Sequence, residues 1–167
     1  MTIFVRVINK LARFLEQFCS WALLLMALLT FSIVVLRYVF NINYVSLQES
    51  VIYLHAFVFL MGSATAYLSD EHVRIDFFYN QQNGNKKFLI NLLGSLFLLW
   101  PVIVFVFYES VSYVSDSWRV HEISQDPGGL PFVYLLKTLI LIFCLNLFLV
   151  SVAKLIREYK NLKGETK

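Results

Sequence analysis

A run of twenty residues without a formal charge, from Ser50 to Ser69, constrains this chain more than any other feature. At about 1.5 Å per helical residue, the run measures roughly 30 Å, which matches the hydrocarbon core of a bilayer. It ends in a cluster too polar for lipid, formed by Asp70, Glu71, His72, Arg74 and Asp76. We therefore predict a membrane-spanning helix that leaves the bilayer at about Ser69.

Three further apolar runs have a similar length. Two lie between charged residues, and the last tolerates Lys137 close to its start. Pro101 lies inside the third run and is expected to bend that helix, because proline lacks an N–H and its ring clashes with the preceding turn. We predict an all-α integral membrane protein, a single domain over residues 1–167. Its four transmembrane helices are expected over about 17–38, 50–69, 88–108 and 131–153.

The composition agrees with this fold class. Hydrophobic residues make up 59% of the chain and charged residues 15%, which is too apolar for a soluble domain. The two cysteines, Cys19 and Cys144, lie in different apolar runs and form no CxxC pattern. We therefore expect two buried thiols rather than a disulfide framework or a thiolate metal site.

The basic residues predict the orientation in the membrane. Residues 1–16 form a basic amphipathic segment at or leading into the membrane surface. Eleven of the fourteen Lys and Arg residues lie before the first span, between the second and third, or after the fourth. The loop between the third and fourth spans is acidic. The positive-inside rule therefore predicts that both termini are cytoplasmic and that this acidic loop is outside.

Small and polar residues within the runs indicate helix packing. His55 is the only titratable residue well inside a span, and a neutral imidazole bonded to a neighbouring helix is the interpretation that we favour for it. We expect further contacts from one face of the second span and from polar or small residues of the third and fourth. These residues are Gly62, Ala66 and Ser69, then Asn91, Gly94 and Ser95, then Asn146.

Arg37 and Glu49 are predicted to lie near the same outer surface, where Arg37 closes the first span and Glu49 opens the second. They could pair with each other or hold a partner protein, and Arg37 could equally extend to a lipid phosphate. Arg119 belongs to the same outer side. Arg37, Glu49, His55 and Arg119 are therefore our candidate residues for a subunit or binding-protein interface.

We find no sequence motif for catalysis. The chain lacks a phosphate-binding glycine loop, a zinc-protease motif and a nucleophile elbow, so we predict that it is not an enzyme and binds no cofactor. One alternative is a haem-binding or quinone-reactive anchor of a respiratory enzyme, for which His55 would need a second axial ligand. A four-helix thiol oxidoreductase and a self-sufficient small transporter are further alternatives.

The stretch LQESVIYLHAFVFLMGSATAYLSDEHVRIDFFY, an acidic outer loop containing PGGLP, and a last helix with a basic end resemble a known family. This is the DctQ-like small membrane subunit, or Q subunit, of tripartite ATP-independent periplasmic (TRAP) transporters. The most specific elements are Glu49 and the exit motif after the second span. The exit motif contains His72, Arg74 and Asp76, and the outer-loop turn contains Pro127, Gly128, Gly129 and Pro131.

The resemblance implies a four-helix subunit that transports nothing alone. Its partners would be membrane lipids, a large transport subunit that moves an organic acid by an elevator motion, and a periplasmic substrate-binding protein; nucleic acid is not expected. Ion coupling, with sodium as the expected ion, would lie in the large subunit. The implied location is the bacterial inner membrane. We interpret the exit motif as structural, fixing where the second helix meets the interface.

Overall fold

The computed structural model describes residues 3–69 and 84–164, and all regular structure in these two stretches is helical. Four helical rods of the described chain are long and apolar enough to cross a membrane. The predicted all-α fold with four candidate spans is therefore confirmed. The elements are α1 (Ile3–Val39), α2 (Val45–Ser69), α3 (Gly84–Gly94), a π-helical turn (Ser95–Leu99), α4 (Trp100–Arg119) and α5 (Val133–Leu162).

The basic N-terminal segment and the first span form one continuous helix. With 37 residues, α1 is about 55 Å long, which exceeds the thickness of a hydrocarbon core. Its first third does not lie free, because Val5, Ile8 and Ala12 are buried against the rest of the bundle. The segment therefore leads into the membrane as part of α1.

The elements α3, the π-helical turn and α4 follow one another without a break and form the third helical rod, Gly84–Arg119. This rod changes helical geometry shortly before Pro101. Ser95–Leu99 form a π turn, and the Trp100 N–H donates to the Ser95 carbonyl five residues earlier. The departure from α geometry lies where the sequence predicted the effect of proline, and a wider turn of this kind is a known cause of helix distortion. The indole N–H of Trp100 donates to Ser151 Oγ of α5 at 2.8 Å, which joins the two helices at this level.

Helix α5 lies at the centre of the bundle and packs against α1, α2, α3 and α4. Its small residues allow close approach, since Ala153 and Ser151 are fully buried. The bundle consists of two helical hairpins, one formed by α1 and α2 and the other by α4 and α5. The contact of α2 with α5 joins the two hairpins. The buried apolar cluster draws on three helices and comprises Ile8, Ala12, Leu68, Val150 and Ala153.

The packed face of α2 differs from the predicted one. Its buried residues follow the helical period and lie about a third of a turn from the predicted face. A Cβ added at Gly62 would meet no atom within 4 Å. His55 is exposed, and among the described residues its ring stacks only on Phe59, one turn away, at 6.3 Å between ring centroids. The prediction that this face packs within the chain is wrong. The buried residues of α2 are Met61, Ala64, Thr65 and Leu68.

Of the other predicted contacts between helices, those of Asn91 and Ser95 are present, whereas those of Asn146 and Gly94 are not. The Asn91 amide donates to both carboxylate oxygens of Glu158 at 3.0 Å, and the hydroxyls of Ser95 and Tyr67 lie 3.3 Å apart. Asn146 is buried as expected, but its amide nitrogen has no hydrogen-bond partner within the described chain. Gly94 is not required for close approach, since a Cβ there would also meet open space.

Two helices continue beyond the predicted ends of their spans. The third rod was predicted to end at about 108 but extends to Arg119, and the fourth was predicted to end at about 153 but extends to Leu162. The loop between them therefore covers only residues 120–132. Charged residues mark where the chain leaves lipid, whereas a helix continues for as long as its backbone bonds and side-chain contacts hold.

Candidate functional site

Glu49 of α2 is held by the loop between α4 and α5. One carboxylate oxygen accepts a hydrogen bond from the Ser124 hydroxyl, and the other accepts one from the Leu130 backbone N–H at 2.5 Å. Within the loop, the Ser124 N–H donates to the Leu130 carbonyl at 3.1 Å. We call Glu49, Ser124 and Leu130 the distal latch, because they lie at the end of the bundle opposite the chain termini. The latch fastens the loop to α2.

The predicted glycine turn explains how the loop approaches so closely. Gly128 has a φ of 82°, a conformation that glycine adopts without strain. A Cβ at Gly129 would lie 2.4 Å from Ser124 Oγ and 2.7 Å from Glu49 Oε1, both far below a normal contact distance. The predicted turn is therefore present, and Gly129 leaves the space in which the latch forms.

A second set of contacts joins the loop to α5 and joins α4 to α5 beside it. Lys137 Nζ lies 2.5 Å from a Glu122 carboxylate oxygen and 3.9 Å from the centroid of the Tyr113 ring. The indole of Trp118 donates to Thr138 Oγ1 at 2.8 Å. The hydrogen bond from Lys137 holds the pKa of Glu122 below its usual range. Because this pKa is lowered, the contribution of the pair to stability is present at neutral pH and is lost on acidification.

Arg37 and Arg119 lie apart from the latch. Arg37 makes no ion pair within residues 3–69 and 84–164; its guanidinium lies 5.9 Å from the Tyr38 ring centroid. The Arg37–Glu49 pair that we considered is therefore not formed, since both Glu49 oxygens accept bonds from the loop. Arg119 forms an exposed pair with Asp116 at 3.5 Å. Both arginines thus present charge at the distal end.

At the opposite end, Lys154 and Arg157 of α5 donate hydrogen bonds to two carbonyls of the last described turn of α2. Lys154 Nζ donates to the Tyr67 carbonyl at 2.9 Å and lies 4.5 Å from the Tyr67 ring centroid. Arg157 donates to the Leu68 carbonyl at 3.2 Å. We call these four residues the terminal cap. Hydrogen bonds from charged donors are the stronger kind, so the cap holds this part of α2 against α5.

The cap was not predicted, because Lys154 and Arg157 were interpreted only as the charged end of the last span. Lys154 is in fact 2% exposed, among the most buried residues of the bundle. A signal was present, since residues three apart lie on the same face of a helix. The exit motif His72, Arg74 and Asp76 lies outside the described residues, so its structural role stays a prediction.

The described residues do not support the haem-anchor alternative. His55 is exposed on α2, and His121 lies in the distal loop with its ring 5.8 Å from that of Tyr134. Within the described stretches, no three His, Cys, Asp or Glu side chains cluster as a metal site would require. Cys19 and Cys144 are free and buried, as predicted.

The fold and its contacts define a small multi-pass membrane protein whose charged side chains fasten helix ends and loops. Over residues 25–161 its sequence matches the family described as tripartite ATP-independent periplasmic transporters, DctQ component, and the chain belongs to that family. No curated protein and no solved structure gave a match. The resemblance to the small membrane component of TRAP transporters is therefore confirmed.

Proposed function

We propose that this chain is the non-catalytic small subunit that supports the large transport subunit of a TRAP transporter. In this role the complex takes up an organic acid, which a periplasmic binding protein delivers. The ion coupling, with sodium as the proposed ion, and the substrate site belong to the large subunit. The family match over residues 25–161 carries this proposal.

The surface of the bundle supports a protein partner within the membrane. Each rod presents large exposed apolar side chains, among them Trp21, Phe59, Leu98 and Phe105. Lipid alone could cover these, but His55 is exposed on the same side of α2 as Phe59, one turn away, and a polar ring facing hydrocarbon is costly. We therefore place His55 at the contact with the large subunit, where a hydrogen-bond partner could be supplied.

The distal end supports a role in docking the binding protein. Arg37 and Arg119 present exposed charge there, and the latch at Glu49 holds the loop 120–132 in one position beside them. A surface whose loop is fixed in advance loses less conformational entropy when a partner binds. In the proposed complex, the latch keeps this docking surface ordered.

We place the protein in the bacterial inner membrane with both termini in the cytoplasm. A reporter enzyme that is active only in the periplasm is expected to be inactive when fused after residue 167 and active when fused near residue 122. The reason is the excess of Lys and Arg on the terminal side. Active C-terminal fusions with inactive loop fusions would reverse the topology.

The complex is tested by purification from membranes that contain both subunits. The tagged small subunit is expected to retain the large subunit in mild detergent, and His55→Asp is expected to weaken that retention because it introduces a charge into the proposed contact. Asn85→Asp, at the exposed start of α3, provides a control with the same added charge. Purification of the small subunit without any large subunit would contradict the proposal.

A further inference from the structure

A polar cavity opens at the terminal end of the bundle, between α1, α2 and α5. Its volume is about 260 Å³. Ser69, the last residue of α2 that the structure describes, forms part of its wall. The polar residues of the wall are Asn9, Arg13, Glu16, Thr65, Ser69 and Arg157.

Two arginines from different helices line this cavity. Arg13 of α1 is exposed and forms no ion pair or side-chain hydrogen bond with any residue of the described stretches. The bond from Arg157 to the Leu68 carbonyl uses a single nitrogen of its guanidinium. A guanidinium carries five N–H donors in a planar fork, a geometry that suits phosphate oxygens. Arg13 and Arg157 therefore have N–H donors available for an anion.

Asn9 and Glu16, which also line the cavity, indicate which kind of anion fits. The amide oxygen of Asn9 is buried without a hydrogen-bond partner in the described chain; because it is an acceptor, it suits a hydroxyl of the bound molecule or a water and does not itself bind the anion. Glu16 contributes one negative charge against the two arginines, which leaves a single net positive charge. A group with one negative charge, such as a phosphate diester, matches this balance.

The position of the cavity along the membrane normal also suits a phosphate group. The apolar run of α2 ends at Ser69, which is where the sequence predicts that the chain leaves the hydrocarbon core. Phosphates of lipid headgroups lie at this boundary, and soluble phosphates reach it from water. We propose that the cavity binds the phosphate of a phosphate ester or of free phosphate, with Arg13 and Arg157 as the donors. The site belongs to this chain and does not depend on the proposed transport role.

Native mass spectrometry of the full chain, with its associated subunits retained, tests the site. The protein is titrated with phosphatidylglycerol and, separately, with diacylglycerol, which has the same tails but no phosphate. Stronger binding of phosphatidylglycerol is expected. Added inorganic phosphate identifies the source: displacement of the lipid favours free phosphate, and resistance favours the headgroup. Equal binding of the two lipids would overturn the proposal.

Matched variants test the residues. Arg13→Gln is expected to weaken phosphatidylglycerol binding about tenfold, the effect of losing one charge-assisted bond. Arg6→Gln removes the same charge from the same helix outside the cavity and is expected to leave binding within about twofold. Glu16→Gln is expected to strengthen binding, because it removes the negative charge of the wall.

Two results of these variants would contradict the assignment. Equal weakening by Arg6→Gln and Arg13→Gln would show general attraction between a basic surface and an anionic lipid. Weaker binding in Glu16→Gln would show that the Glu16 carboxylate attracts the lipid, for example by accepting bonds from its hydroxyls, and that the charge balance of the wall does not select the phosphate. Thermal unfolding of each variant confirms that it is folded; Arg13 is exposed, so its replacement is expected to leave stability unchanged.

Discussion

Replacing Glu49 by Ala is expected to release the loop 120–132 from α2. The change removes both acceptors of the distal latch, so the Ser124 hydroxyl and the Leu130 N–H lose their common partner. Charge-assisted hydrogen bonds are the stronger kind, and losing one shifts an opening equilibrium about tenfold. The loop is therefore expected to open at least about tenfold more often in this variant.

Limited proteolysis within the loop measures this opening. Cleavage of Glu49→Ala is expected to be faster than that of the wild type, with unchanged cleavage elsewhere. Glu109→Ala is the matched control, because Glu109 is an exposed carboxylate on α4 whose side chain makes no hydrogen bond or ion pair within the described chain. Equal cleavage of the two variants would show that Glu49 does not hold the loop.

Gly129→Ala tests the same latch by placing a methyl group in the space that the Ser124 and Glu49 side chains occupy. Its added methyl would displace the Ser124 and Glu49 side chains, so this variant is expected to open the loop as Glu49→Ala does. Combining the two substitutions is expected to add little, because residues that act in one contact are not independent.

Replacing Lys154 by Met is expected to lower the free energy of unfolding by about 1.5–3 kcal/mol, the usual range for a hydrogen bond to a charged group. Methionine fills a similar volume but cannot donate, so the Tyr67 carbonyl at the end of α2 loses the bond from Lys154. The loss is large because Lys154 is buried and its cation also lies against the Tyr67 ring.

Equilibrium unfolding in mixed micelles, followed by tryptophan fluorescence, measures this loss. Lys160→Met is the control, since Lys160 lies on the same helix and makes no hydrogen bond or ion pair with other described residues. Its replacement is expected to change the unfolding free energy by less than about 0.5 kcal/mol. Similar unfolding free energies of the two variants would show that the terminal cap does not stabilise the position of α2.

Hydropathy located the four spans but not the ends of the helices. The second span was predicted to end at about Ser69, which is also the last residue of α2 that the structure describes. The last span was predicted to end at about 153, because Lys154 and Arg157 are too polar for lipid. In the structure these cations meet the carbonyls of α2, so α5 continues to Leu162. A charge count cannot distinguish a cation in water from one held by a neighbouring helix.

The packed face of α2 could not be predicted from its sequence. Apolar residues surround this helix on every side, so no hydrophobic stripe marks the face that packs. Small residues suggested the wrong face, because Gly62 meets no neighbour while Ala64 is fully buried. The choice depends on the position of α5, which only the tertiary structure specifies.

The candidate site was predicted in part. Family resemblance selected Glu49 and the glycine turn, and both lie at the latch. Their partners could not be found, because Ser124 and Leu130 are 75 and 81 positions away from Glu49, and Leu130 contributes a backbone N–H that no side-chain motif records. The resemblance thus selected residues that the structure joins within the chain, and their role at a subunit or binding-protein interface stays a prediction.

Uptake by reconstituted liposomes tests the proposed function most directly. The large subunit, the binding protein and an ion gradient are kept constant while this chain is included or omitted. We expect accumulation of the organic acid only when the chain is present, and no accumulation by the chain without the large subunit. Full uptake by the large subunit and the binding protein in the absence of this chain would contradict the proposal.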